Sequence, residues 1–168
     1  MASELRVDKI VPTGGVPTGG GGGIIQIKQG IITAPVSTGT SGSFTDTGLS
    51  ATITPTSNTS KVFCMVSLGS LSSPGGTSTG FRLVRGSTDI AMPDSTALQS
   101  GFTNIYVSED SSLFSVNFNF LDSPGVDTAL TYKITWRNSS STTYLGRFTG
   151  SATNYNGVST LILMEVSA

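Results

Sequence analysis

The chain has no histidine at all and only one cysteine among its 168 residues. The lack of histidine excludes Ser-His-Asp and Cys-His catalytic centres and removes the commonest protein ligand of zinc and other transition metals. The single thiol, Cys64, lies in the apolar stretch 62–66 and is expected to be a small buried side chain. It has no partner for an internal disulfide, which fits folding in a reducing cytoplasm. We therefore expect no catalytic residue, no cofactor and no metal site.

Charge is scarce as well, because charged residues make up 11% of the chain and the formal net charge is −1. A nucleic-acid-binding protein needs a basic surface, and the sequence offers none. No apolar run approaches the roughly 18 residues of a membrane-spanning helix, and residues 1–6 lack the apolar segment of a signal peptide. The sequence therefore predicts neither nucleic-acid binding nor membrane insertion.

What the sequence has in abundance is alternation of apolar and small polar residues, in segments 49–53, 114–120 and 130–136. A period of two is typical of half-buried antiparallel strands, and no segment shows a helical apolar stripe. Proline, glycine and asparagine separate these segments at short intervals, as turns require. The fold class predicted is all-β: an antiparallel β-sandwich or jelly-roll-like body with an extended N-terminal anchoring arm. The strand order stays open at this point.

Two segments, residues 61–68 and 161–164, are apolar at successive positions. Such strands either lie in the middle of a sheet or meet a second apolar surface, such as a neighbouring subunit. Phe118, in a cleanly alternating segment, is expected in the core of its own subunit. The irregular stretch 90–106 is predicted to be a long surface connection, which either carries binding or is a simple excursion.

The first part of the chain predicts an attachment device. A strand-like segment, residues 5–11, is followed by five consecutive glycines and then by a second strand beginning at Ile24. The glycines do not form a phosphate-binding loop, because no Lys-Ser/Thr pair and no helix follow them. A lone strand stays ordered only by joining a partner's sheet edge or groove, and the alternative is a disordered terminus. We accordingly divide the chain into an arm and tether, residues 1–23, and a body, residues 24–168.

The residues predicted to attach the arm to another protein are Leu5, Arg6, Val7, Asp8, Lys9, Ile10 and Val11. The predicted tether consists of Gly19, Gly20, Gly21, Gly22 and Gly23.

Residues 1–12, Met-Ala-Ser-Glu-Leu-Arg-Val-Asp-Lys-Ile-Val-Pro, resemble the opening of structural proteins of marine bacteriophages, particularly cyanophages. In that family a similar segment is followed by a Gly/Pro-rich stretch and then by Ile-Ile-Gln, as here at residues 24–26. The body is similar to a module of tail-fibre and virion-fibre proteins, in segments 47–55, 61–66, 81–87, 121–124, 131–133 and 161–166. The resemblance implies a virion subunit, usually a homotrimer, made in the host cytoplasm and located on the tail or the capsid exterior.

Three functions follow as hypotheses. The first is a non-enzymatic short tail fibre, docked on another virion protein by its arm, with adhesion to a host surface receptor or glycan through distal loops. The second is a capsid decoration or cement protein. The third is a polysaccharide-degrading adhesin, which would need two carboxylates facing each other across a cleft, an arrangement that leaves no trace in sequence.

Overall fold

The structure, a computed structural model, describes residues 23–39, 42–94, 97–110, 112–150 and 155–167, and within these ranges it contains strands and no helix. The eleven strands form two antiparallel sheets. The first sheet consists of β1 (Ile24–Ile32), β2 (Val36–Thr38), β4 (Lys61–Ser72), β8 (Phe114–Asp122), β10 (Thr143–Leu145) and β11 (Ser159–Val166). The second consists of β3 (Thr45–Ile53), β5 (Thr77–Arg85), β6 (Thr88–Ile90), β7 (Thr103–Val107) and β9 (Leu130–Asn138).

Across the first sheet the strands run β1–β11–β4–β8, and the short strands β2 and β10 extend the β1 and β11 rows. Across the second sheet they run β3–β9–β5, and β6 and β7 share the last row beside β5. β1 and β11 are thus neighbours, and the described strands alternate between the sheets in the order of a two-sheet jelly roll. The predicted all-β sandwich is confirmed; the predicted arm lies outside the described residues.

The core fills the space between the sheets, because strands of both sheets turn alternate apolar residues toward it. Its largest fully buried side chains are Trp136, Tyr132 and Phe81, all from the second sheet. Cys64 is buried as expected. Phe118 lies on the inner side of β8, with its ring stacked on Phe102 at 4.5 Å between centroids.

The predicted long connection 90–106 is wrong at its end, because residues 103–106 belong to β7. This strand is short and pairs with β5 through partners such as Tyr106 and Ser78. Of the segment that remains, residues 97–101 lie over the outer side of the second sheet, and Phe102 packs against the core. Gly101 makes this close approach possible, since a Cβ there would lie 1.9 Å from the carbonyl oxygen of Phe81.

Candidate assembly surface

The outer side of the first sheet, which we call the apolar face, carries mostly apolar side chains at its centre and toward one end, and uncharged polar side chains elsewhere. Strand pairing aligns its residues in rows that cross all four strands. The first row, from β1 to β8, is Ile27, Met164, Phe63 and Leu121. The second row is Gln29, Ile162, Met65 and Asn119. The third is Ile31, Thr160, Ser67 and Asn117, and Ile24 and Val166 lie beyond the first row.

This face arises because β4 and β11 are neighbours and both are apolar on their two sides. Their inner residues, such as Val62 and Leu163, are fully buried in the core. Their outer residues, such as Met65 and Ile162, cover one another only in part and stay half-buried. The central strands expected from segments 61–68 and 161–164 therefore lie side by side, and their outer apolar side is not covered by the second sheet.

The edges of the apolar face are the most exposed. Ile24 and Ile27 on β1 are each 57% exposed, and Leu121 on β8 is 47% exposed. Among the described outward residues of these four strands, Lys61 is the one with a charge, and it lies at the end of the face beside Val166. The face is thus nearly free of charge, a composition typical of the centre of a protein interface.

The outer side of the second sheet is chemically opposite. It carries an ion pair between Lys133 and Asp46 at 2.9 Å and a second between Arg82 and Asp89 at 2.6 Å. The Arg82 guanidinium also lies 3.7 Å from the ring centroid of Phe44. The charged groups and aliphatic stems of this side keep it soluble, so the two outer sides of the sandwich are suited to different surroundings.

Hydrogen bonds hold residues 97–101 against this polar side. Arg82 Nε donates to the Ser100 carbonyl at 2.7 Å, and an Arg137 N–H donates to the Leu98 carbonyl. Between this loop and the sheet lies an open cavity of about 950 Å³, lined by Arg82, Asp89, Met92, Ala97, Leu98 and Arg137. Both arginines thus hold the loop in place, and Leu98 at its tip is 77% exposed.

A buried polar cluster closes one end of the core. Asp122 accepts hydrogen bonds from one Arg85 nitrogen at 2.8 and 2.7 Å, and from the Tyr132 hydroxyl at 2.7 Å. Burial, reinforced by this hydrogen bond and the negative charge of Asp122, raises the pKa of Tyr132. Burial and the same carboxylate raise the pKa of the Cys64 thiol to about 12, so the thiol stays protonated and unreactive. The cluster therefore contributes to stability and offers no nucleophile.

Glu165, on the inner side of β11, is a fully buried carboxylate. Burial alone would raise its pKa, but hydrogen bonds from the Thr56 hydroxyl and backbone N–H, Gln26 and Ser60 outweigh it and lower the pKa below the ordinary 4.5. The Thr56 donors lie 2.6 Å away and the Gln26 nitrogen 2.7 Å away. Glu165 thereby ties residues 56–60 to the C-terminal end of β11.

A depressed pKa gives this carboxylate a pH-dependent role. The stability it contributes is complete above its pKa in the unfolded chain and is lost as pH falls through the lower folded-state pKa. We expect Glu165→Gln to lower the free energy of unfolding by about 1–3 kcal/mol near neutral pH. The difference in the free energy of unfolding between the variant and the wild type should become progressively smaller as the pH falls below 4.5. Urea unfolding across this range measures it, and a pH-independent difference would contradict the assignment.

The attachment residues predicted from sequence, 5–11, and the tether residues 19–22 lie outside the described residues. Gly23, the last tether residue, is described, and its N–H donates to Ser167 Oγ while its carbonyl accepts from the Ser167 N–H, both at 3.1 Å. The contact between the β1 and β11 segments therefore extends beyond Ile24 to Gly23. Sequence reasoning named segments 61–68 and 161–164 but missed the contributions of β1 and β8 to the apolar face.

In the part of the chain that the structure describes, no group of three or more cysteine or acidic side chains is arranged to hold a metal ion. The same part contains no helix of the length and apolar character needed to span a membrane. No protein-family model matches the chain, and no curated protein is significantly similar to it.

Proposed function

We propose that this protein is a non-enzymatic structural subunit of a bacteriophage particle, a short tail fibre anchored by its N-terminal arm. The resemblance of residues 1–12 and of the body to phage fibre proteins supports the proposal. The structural observation that carries it is the apolar face. A domain that worked alone in water would expose this face, whereas a subunit of an assembly covers it.

The state of the buried acidic groups supports a non-enzymatic role. Asp122 and Glu165 are both buried and engaged by several donors, so each is held as a structural acceptor. Asp89, the carboxylate lining the open cavity, is paired with Arg82. A polysaccharide-degrading site needs a carboxylic acid and a second carboxylate across a cleft, so this arrangement favours a structural subunit.

A capsid decoration protein is the second candidate. The described body is a single jelly roll with no shaft to project it from the particle, and this compactness suits a protein that lies on a shell. Gold-labelled antibodies against the body, viewed on intact particles by electron microscopy, distinguish the two. Label at the tail supports the fibre, label over the shell supports decoration, and unlabelled particles that also lack the protein by mass spectrometry would overturn both.

The arm supplies the mutational test. We expect Leu5→Asp combined with Ile10→Asp to reduce the copy number in purified particles at least about tenfold, since burying unpaired carboxylates against an apolar groove costs more than the 1.4 kcal/mol this factor represents. The body should keep its strand-type circular-dichroism spectrum. Thr13→Asp with Thr18→Asp, which adds the same charges outside the docking segment, serves as the control. Normal incorporation of the first variant would refute docking through residues 5–11.

A further inference from the structure

We propose that the apolar face is covered by other copies of this same chain, so that the sheets β1–β11–β4–β8 of three subunits pack around a common axis. That the partner is another copy of this chain is argued from the size and composition of the face. The count of three rests on the proposed function, since phage fibres of the kind that this chain resembles are usually homotrimers.

The size of the face is the first argument. Four strands about 4.8 Å apart and about eight residues long make a surface of roughly 20 Å by 25 Å, on the order of 500 Å² in projection. Side chains standing above the sheet expose more area than this projection. With its polar rim the face therefore offers each chain roughly the 800 Å² that a partner contributes to a stable complex, divided in a trimer between its two neighbours.

The second argument is that the face suits contact with itself. Around a three-fold axis the β1 edge of one copy meets the β8 edge of the next, and residues near the axis meet their own copies, so a net charge on the face would lie close to the same charge of its neighbours. Here the central residues are apolar, and the flanking groups in the second row are the amides of Gln29 and Asn119. An amide both donates and accepts hydrogen bonds, so Gln29 of one copy can pair with Asn119 of the next. Lys61, the one charge, lies at the end of the face, where it stays in water.

The third argument is the contrast with the second sheet. Its outer side carries the Lys133–Asp46 and Arg82–Asp89 pairs and is covered in part by residues 97–101. Packing this side against a copy would desolvate those charges, which costs more than such exposed pairs return. Association is therefore restricted to one side of each subunit, and a ring that buries that side on its axis closes after a fixed number of copies.

The test uses the whole recombinant chain at micromolar concentration, with mass measured by light scattering or sedimentation. We expect three times the 17.3 kDa of one chain for the wild type. Ile162→Asp, at the centre of the face, should give the single-chain mass. Ile27→Asp places the same charge at the β1 edge, where the side chain is already 57% exposed in one subunit, so folding is not at stake. It should raise the dissociation constant on the order of 30-fold, as loss of a strong interface contact does.

Ser50→Asp is the matched control, since it adds the same charge at an exposed outward position on the edge strand β3 of the other sheet. It should leave the mass at three chains. A monomeric wild type, or an unchanged mass for both Ile162→Asp and Ile27→Asp, would overturn the interface; a dimer would overturn the three-fold arrangement. A trimer that responds as expected but is absent from phage particles would leave the interface standing and refute the proposed function.

Discussion

Replacing Asp122 by alanine is expected to lower the free energy of unfolding by about 3–5 kcal/mol, as removal of one partner from a buried ion pair does. The Asp122 side chain is only 8% exposed and Arg85 is 24% exposed, so the cation left behind is poorly hydrated. The Tyr132 hydroxyl, which is buried as well, would lose its acceptor at the same time. One substitution thus leaves two donors at the end of the core, Arg85 and the Tyr132 hydroxyl, without their acceptor.

Two variants separate this effect from simpler ones. Tyr132→Phe removes one donor and leaves the Arg85–Asp122 pair intact, so it should cost about 1 kcal/mol. Asp46→Ala breaks an exposed ion pair with Lys133, in which the Asp46 side chain is 58% exposed. It should change the free energy of unfolding by less than about 1 kcal/mol. Urea unfolding of the three variants at neutral pH gives the comparison. If Asp122→Ala and Asp46→Ala lowered the free energy of unfolding by similar amounts, the buried cluster would stabilise the fold no more than an exposed ion pair does.

The parts of the fold that the sequence predicts well are those governed by local pattern. The alternating segments 49–53, 114–120 and 130–136 lie in β3, β8 and β9. Each alternates because one side of the strand faces the core, and turn-forming residues mark its ends. The observed strands are longer than these segments by a few residues, since pairing with a neighbour continues where the alternation becomes irregular.

Strand order and register depend on contacts between distant residues and leave no local mark. The pairing of Met65 with Ile162 that builds the centre of the apolar face joins strands far apart in the chain. The irregularity at Ser70, which has a φ of 49°, is similarly invisible, although it lies where β4 passes from pairing with β11 to pairing with β10. The sequence did not predict β7 for the same reason, because this segment is a strand only through its pairing with β5.

The candidate site divides in the same way. Continuous apolar character at 61–68 and 161–164 is visible in sequence, and it pointed to a surplus apolar surface. Ile27, Ile31 and Leu121 join that surface only through the register of β1 with β11 and of β8 with β4. A residue's side of a strand is fixed by such pairing, and a shift of one residue would reverse it.

Gly30 in β1 gives the second large effect that we expect. The two sheets approach each other closely here, since a Cβ on Gly30 would lie 2.0 Å from the carbonyl oxygen of Ser50 in β3, where ordinary contact needs at least 3.4 Å. Gly30→Ala therefore forces β1 away from β3 by about 1 Å or more and should cost about 3 kcal/mol or more. Since β1 carries Ile27 and Ile31, the same displacement should disturb the apolar face.

Gly30→Ala is thus expected to lower both the unfolding midpoint and the fraction of assembled protein, measured by urea unfolding and by light scattering on one preparation. Gly42→Ala is the control, because a Cβ at that exposed position meets nothing within 4 Å. It should change stability by no more than about 0.5 kcal/mol and leave assembly unaltered. A loss of stability with full assembly would place β1 outside the contact between copies, and the interface would then be confined to β11, β4 and β8. Wild-type stability for Gly30→Ala would mean that the close approach of β1 and β3 does not hold the two sheets together.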